Sequence, residues 1–285
     1  MHLSGLFIYP VKGLRGFAVN SAEVDVLGLV GDRRFLVVTD TGEFLTQRTL
    51  PRMAQITAEL SGGNLILRAE GAGAISVPLR AATPPTLRTV WIWRSKNLRA
   101  EDCGREVSVW FSTFLGVACH LVRIGKDFRR PVLERRAPLP GESLIEGRVL
   151  TSDLVTFADG FPFLVISEAS LANLNDRLVS IGEEPVPMDR FRPNFVVSGV
   201  AAFGEDVWPR ARIGGIVFRS GGPSARCIVI TTDQFTGERG HEPLRTLATY
   251  RRDATDSTRI NFGLNLTHET KSGTLRIGDA VEILR

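Results

Sequence analysis

Cysteine is scarce in this chain of 285 residues: Cys103, Cys119 and Cys227 are the only three, and they lie far apart. An odd count without close spacing excludes a disulfide framework and a cysteine-based zinc site, and it predicts a reducing, cytoplasmic setting. Lysine is scarcer within its class. Of 35 basic residues only Lys12, Lys96, Lys126 and Lys271 are lysines; the rest are arginines. His2, His120, His241 and His268 are scattered, with no pair at metal-ligand spacing. There are two tyrosines and no dense basic block, so nucleic acid is not an expected partner. No apolar run is long enough to span a membrane. The opening Met1-His2-Leu3-Ser4-Gly5-Leu6 has neither the basic flank nor the long apolar region of a signal peptide, and reads as a first strand. P-loop, dinucleotide and nucleophile-elbow patterns are all absent.

What is present fits an ordinary soluble protein: 43% hydrophobic residues and a net charge of +4. The length suggests two domains. Arginine forks onto phosphate and carboxylate oxygens, so its abundance suits a small anionic ligand.

Short strands dominate the first half. They are expected near residues 3–9, 23–26, 35–38, 56–60, 65–68, 75–79 and 89–93, with turns at Asp40-Thr41-Gly42 and Ser61-Gly62-Gly63-Asn64. That spacing suggests a small barrel or sandwich. A helix capped by Asp102 follows and ends at Gly116, with Trp110 packing into the core. Lys126 to Ser152 carries Arg129-Arg130-Pro131 and Arg135-Arg136 among breakers, and reads as a long loop or linker with solvated arginines. The second half starts at Asp153. Strands are expected at 163–166, 195–197, 216–219, 227–232, 260–266, 274–277 and 280–284, with Gly278-Asp279 as the last hairpin. Helices are expected after the Ser167 cap and from Glu242-Pro243 to Tyr250. The fold class is therefore mainly β with a few helices (α+β): a barrel-like N-terminal domain over 1–125, a linker over 126–152 and a second β domain over 153–285.

One stretch organises the rest: Ser224-Ala225-Arg226-Cys227, running into Ile228-Val229-Ile230-Thr231-Thr232-Asp233 after the Gly221-Gly222-Pro223 break. The β-branched run reads as a strand buried on both sides. At its entrance a thiolate, an arginine and loop amides could meet one ligand. Taken alone, this stretch favours Cys227 as a small buried core residue.

Other segments change that balance. Tyr9-Pro10-Val11-Lys12, Gly31-Asp32-Arg33-Arg34-Phe35, Glu101-Asp102-Cys103-Gly104, Phe157-Ala158-Asp159-Gly160-Phe161-Pro162, Phe191-Arg192-Pro193-Asn194 and Glu242-Pro243-Leu244-Arg245 occur in this order with Arg226-Cys227. Together they resemble the MOSC-domain molybdenum proteins with an N-terminal β-barrel, the group of the mitochondrial amidoxime-reducing components, over almost the whole chain. The resemblance implies an N-terminal β-barrel-like domain and a C-terminal MOSC β-barrel domain with the molybdenum cofactor (Mo-molybdopterin) between them. It makes Cys227 the metal ligand, a soft thiolate suited to a metal also held by a pterin dithiolene. It gives Lys12, Arg33, Arg192 and Arg226 to the pterin and its phosphate, and Asn194 to pterin edges. Gly13, Gly160, Phe161 and Ala225 also fall at cofactor-binding positions. Gly13, Gly160 and Ala225 lack the hydroxyl that relatives often carry there, although their backbone N–H groups can still donate. Asp159 has two readings, a proton-delivering acid near the metal or an Asx-turn cap.

The activity so implied is reduction of a small N-hydroxylated compound, an amidoxime or hydroxylamine-type base. No ferredoxin-type four-cysteine cluster accompanies it, so electrons are expected from a separate protein of ferredoxin, flavoprotein or cytochrome b5 type. The alternative is a non-catalytic carrier of sulfur or cofactor on Cys227.

Overall fold

The computed structural model describes residues 1–81, 84–133 and 149–284. The chain is mainly β, with barrel-like N-terminal and C-terminal regions and, among the described residues, three α-helices. Half-buried strands arise where apolar residues alternate: Ser21–Asp25 and Asn64–Ala69 bury every second side chain. Phe35–Val38 is apolar throughout and buried on both faces.

The largest sheet runs Phe17–Ala18, His2–Ile8, Phe195–Ser198, Phe163–Ser167, Ile260–His268, Ile216–Arg226, Arg210–Ile213, Val281–Leu284. Its one parallel pair is Phe163–Ser167 with Phe195–Ser198. A crossover joins these two strands and contains the longer helix Glu168–Ser180, capped as expected by the Ser167 side chain accepting from the Ser170 N–H. The first strand lies inside this sheet, Leu6 opposite Phe195, and Ser21–Asp25 pairs with Gly273–Arg276. Hydrogen bonding thus crosses the boundary expected at 126–152. A second sheet orders Phe35–Val38, His120–Arg123, Ser95–Asp102 and Leu87–Ile92, and a meander joins Thr57–Ser61, Asn64–Ala69 and Gly73–Pro78. Leu3, Leu6, Phe163, Phe195, Phe218 and Leu266 fill the core of the large sheet. Val11, Phe35, Met53, Phe111 and Leu121 fill a second core, which helix Arg105–Leu115 covers.

The main departure from expectation surrounds Cys227. Residues 227–232 do not form a strand: Ile228–Thr231 is a 3-10 turn, and Cys227 immediately precedes it. The strand is Ile216–Arg226, with Gly221-Gly222-Pro223 inside it, absorbed by shifts of register against Ile260–His268. A Cβ on Gly221 would lie 2.3 Å from the Phe161 ring, and Gly222 adopts φ +86°. The glycines therefore let the strand bend past Phe161 instead of ending it. The ladder stops at Arg226 because its partner, Ile260, is the first residue of the neighbouring strand. Past that point the chain coils, burying Ile230 and exposing Ile228.

Three smaller expectations are also corrected. Asp102 ends the Ser95–Asp102 strand instead of capping the helix; it accepts from the Gly104 N–H, and Gly104 holds the cap position. Gly278-Asp279 does turn, but its flanking strands pair elsewhere, Gly273–Arg276 with Ser21–Asp25 and Val281–Leu284 with Arg210–Ile213. In the expected linker, Pro131–Leu133 pairs with Val149–Leu154, and Arg130 is buried, not solvated. Arg135-Arg136 and the breakers from Pro138 to Gly147 lie outside the described residues.

Candidate functional site

Three backbone segments meet beyond the end of the first strand. Arg33 N–H donates to Tyr9 O at 2.7 Å, Phe35 N–H to Pro10 O and Lys12 N–H to Phe35 O at 3.0 Å each, and Phe157 N–H to Arg33 O at 3.0 Å. These bonds bring Lys12, Arg33 and Asp159 into one neighbourhood. Asp32, 1% exposed, organises the first two segments. Its Oδ1 accepts from the Tyr9 N–H at 2.9 Å, and its two oxygens accept from Arg33 Nη1 at 2.7 and 2.8 Å. Arg33 Nη2 then reaches Arg192 O at 3.1 Å. The guanidinium groups of Arg33 and Arg192 lie over the Tyr9 ring at 4.1 and 4.5 Å.

The loop that bears Asp159 is held by a residue the sequence reading left in solvent. Arg130 donates to the carbonyls of Thr156, Ala158 and Asp159 and to Ser95 Oγ. Burial pushes this guanidinium down to about 10, with Asp159 resisting the shift. The Asp159 carboxylate forms an ion pair with Lys12 Nζ and accepts from Trp93 Nε1 at 2.9 Å.

The two partners of that ion pair respond differently. The Asp159 side chain is 67% exposed and that of Lys12 only 11%. Desolvation by the surrounding protein opposes ionisation of Asp159, but the Lys12 charge, the bonds from Lys12 and Trp93, and the Arg130 charge outweigh it. The carboxyl is therefore held well below the usual range. Lys12 is the deeper partner, and its desolvation outweighs the pull of Asp159, so its pKa falls. For Asp159 the linkage has one sign. A depressed pKa adds stability above the unfolded value near ~4, and that stability is lost as pH falls. The stability advantage of wild type over Asp159→Asn should thus be full at pH 7 and shrink below about pH 4. Urea unfolding of both proteins at pH 7 and pH 3 measures this, and a difference independent of pH would contradict the assigned pair.

Arg192 and Arg226 close the site from the C-terminal half. Arg192 Nη1 donates to Gln234 Oε1 at 3.3 Å, and burial with the neighbouring Arg33 pushes the group down to about 10. Arg226 donates from Nη1 to Ser224 Oγ at 3.1 Å and from Nη2 to Phe191 O at 2.6 Å. Its Nε is buried without a partner among the described residues. Burial lowers its pKa, and Cys227, Asp159 and Tyr9 beside it oppose that shift. Cys227 itself is half-buried at the strand end. Burial pushes the Cys103 thiol up to about 12 and raises that of Cys119, which leaves both as neutral thiols.

The remaining sequence-selected residues lie around this cluster in other ways. Gly13, at φ +84°, accepts on its carbonyl from Gln47 Nε2 at 2.8 Å. Gly160 follows Asp159 directly, and Phe161 is buried with Val132, Val155 and Ala158. Ala225 sits in the ladder opposite Asn261. Asn194 is 2% exposed. It spends its amide on backbone, donating to Phe7 O and accepting from the Leu164 N–H, each at 3.3 Å, and so ties two strands together.

Five further residues at the site have no role assigned from sequence: Tyr9, Trp93, Arg130 and the buried pair Gln47–Gln234, whose side-chain amides bond each other at 3.1 Å. Their partners are distant in sequence, so no periodicity marks them. Tyr9 is 2% exposed, and its hydroxyl has no partner among the described residues. Burial, only partly offset by Arg192 and Arg33, pushes that hydroxyl up to about 12, so it stays protonated. Strain also concentrates here. Arg33, Trp93 and Arg192, at φ 46°, 51° and 57°, are three of the five non-glycine residues in the left-handed region among the described residues, a backbone that persists where the surroundings enforce it.

Chemically, the arrangement can hold an anion and present one soft ligand to a metal. Among the described residues no three His, Cys, Asp or Glu side chains form a metal-binding group. A metal at Cys227 would need its other ligands from a cofactor, and four cationic side chains with an orphaned Arg226 Nε suit an anionic one.

Residues 1–118 match the MOSC N-terminal beta barrel domain and residues 153–282 the MOSC domain. The chain is 34% identical to mitochondrial amidoxime-reducing component 1 of Mus musculus over 98% of its own length and 81% of that protein. It is 33% identical to the Homo sapiens counterpart over 98% and 82%. With the molybdenum cofactor sulfurase of Homo sapiens it shares 30% identity over 93% of this chain and 30% of the sulfurase. No helix among the described residues is long and apolar enough to cross a membrane. A likeness that runs through both domains and nearly end to end places this chain in the MOSC-domain family with an N-terminal β-barrel, together with the mitochondrial amidoxime-reducing components.

Proposed function

We propose that this protein is a molybdenum-cofactor-dependent oxidoreductase that reduces small N-hydroxylated compounds such as amidoximes, with electrons from a separate redox protein. The observation that carries the reading is the convergence of Lys12, Arg33, Arg192 and Arg226 beside Asp159 and the half-buried Cys227. The names of the relatives agree with it.

Cys227 provides the protein's one ligand to the metal, and the four cations hold the pterin and its phosphate. Backbone at Gly13, Gly160 and Ala225 completes the cradle, while Phe161 and Asn194 set its walls by packing and by tying strands. When bound, the cofactor supplies the two-electron oxygen-atom chemistry. Asp159, kept ionised by Lys12 and open to solvent, orients the water through which protons reach the departing oxygen. In the net reaction the N–O bond breaks, and two electrons and two protons yield the reduced nitrogen compound and water. The donor is a ferredoxin, a flavoprotein or a cytochrome b5 type protein.

Protein made in a cofactor-competent host should contain about one molybdenum per chain and should reduce an amidoxime to the amidine with reduced viologen as donor. Protein with neither metal nor turnover would refute the proposal. A second reading, a carrier of sulfur or cofactor on Cys227, draws on the relationship to the sulfurase. Metal without turnover favours cofactor carriage, and a transferable persulfide without metal favours sulfur delivery.

A further inference from the structure

The roles proposed above leave the Tyr9 hydroxyl unused. Its ring is held on several sides. A Cβ on Gly16 would fall 2.3 Å from the ring, so bare backbone lies against the ring edge there. Asp32 anchors the Tyr9 N–H at 2.9 Å, and Arg33 and Arg192 cover the ring at 4.1 and 4.5 Å. The hydroxyl is buried and unpartnered among the described residues. Native proteins pair nearly all such groups, so an orphan in a rigid setting points to a ligand or a water.

The neighbours suggest what that ligand is. Arg192 makes one side-chain hydrogen bond among the described residues, through Nη1, which leaves Nε and Nη2 free to donate. Arg226 Nε, on a side chain electrostatically linked to Tyr9, is a second orphaned donor. A donor set of this kind asks for an anion with several acceptor oxygens. One acceptor nearby is also orphaned, Asp189 Oδ1, and a water between it and Tyr9 is the rival explanation.

We propose that the Tyr9 hydroxyl donates a hydrogen bond to an oxygen of a phosphate monoester whose charge Arg33 and Arg192 balance. The inference rests on the reading of this site as the cradle of a phosphate-bearing pterin, and adds a binding residue to it.

The test compares wild type, Tyr9→Phe and Arg192→Ala, each freed of cofactor, by thermal melting against inorganic phosphate with sodium chloride as the ionic-strength control. Tyr9→Phe should melt at or above wild type without phosphate, because it removes an unsatisfied group, yet bind phosphate about tenfold more weakly. Arg192→Ala should lose the phosphate response. Two results would overturn the assignment: equal phosphate affinity in Tyr9→Phe and wild type, or a lower melting point of Tyr9→Phe without phosphate, which is the outcome for a bridging water to Asp189. Molybdenum content of wild type from a competent host separates the two levels. Metal present with equal phosphate affinities overturns the Tyr9 role alone. Neither metal nor stabilisation by phosphate in wild type overturns the cradle reading together with the Tyr9 role.

Discussion

Cys227→Ser should abolish amidoxime turnover, a loss of at least about a thousandfold, with the fold intact. Cys227 has φ −136° and ψ −178°, an extended conformation open to any residue, and its side chain makes no capping bond to the turn that follows. A serine hydroxyl there can accept a turn N–H, so stability should stay within about 0.5 kcal/mol of wild type. The chemical change is far larger. A thiolate is a soft anionic ligand, whereas the serine hydroxyl stays neutral and hard near pH 7. Turnover with reduced viologen, molybdenum content and the metal's absorption spectrum should be measured on the same preparation. A variant with the wild-type rate and an unchanged spectrum would remove Cys227 as the ligand.

Asp32→Ala should cost about 3–5 kcal/mol of stability, the largest effect expected of any substitution near the site that touches no ligand. Asp32 balances the Arg33 guanidinium through two contacts and also accepts the Tyr9 N–H. The side chains of both partners are mostly buried, 2% and 12% exposed. Alanine leaves an uncompensated cation and an orphaned amide in one place. Asp32→Asn, which keeps an acceptor for Tyr9 and loses the charge, should fall between the two. Urea unfolding reads the effect as a lower midpoint at constant slope. A loss below about 1 kcal/mol for alanine would mean that Arg33 turns its charge out to solvent, as an exposed pair allows.

Much of the strand framework was legible because alternation and turn chemistry are local. The Gly62-Gly63 turn, with both residues at positive φ, and the Ser167 cap are cases where neighbours in sequence decide the structure. Cys227–Thr232 failed for the opposite reason. Its β-branched run favours a strand, but the adjacent strand has no residue left to pair with, and that depends on Ile260. Gly221-Gly222-Pro223 misled in the same way, since the ring of Phe161 and not local preference shapes the chain there. The candidate site was legible as motifs through the family resemblance, yet the residues that hold it were not. Arg130 reads as one more arginine in an irregular tract until the three carbonyls it clasps are seen together.

The position of His2–Ile8 inside the large sheet bears on how the chain folds during synthesis. This strand is made well before the edge it docks on, Phe195–Ser198. Until then it has only the short Phe17–Ala18 segment beside it. A loop-closure cost therefore precedes formation of the sheet, and an apolar segment waits uncovered while translation proceeds. Residues from one half thus complete the hydrogen-bond ladder of the other.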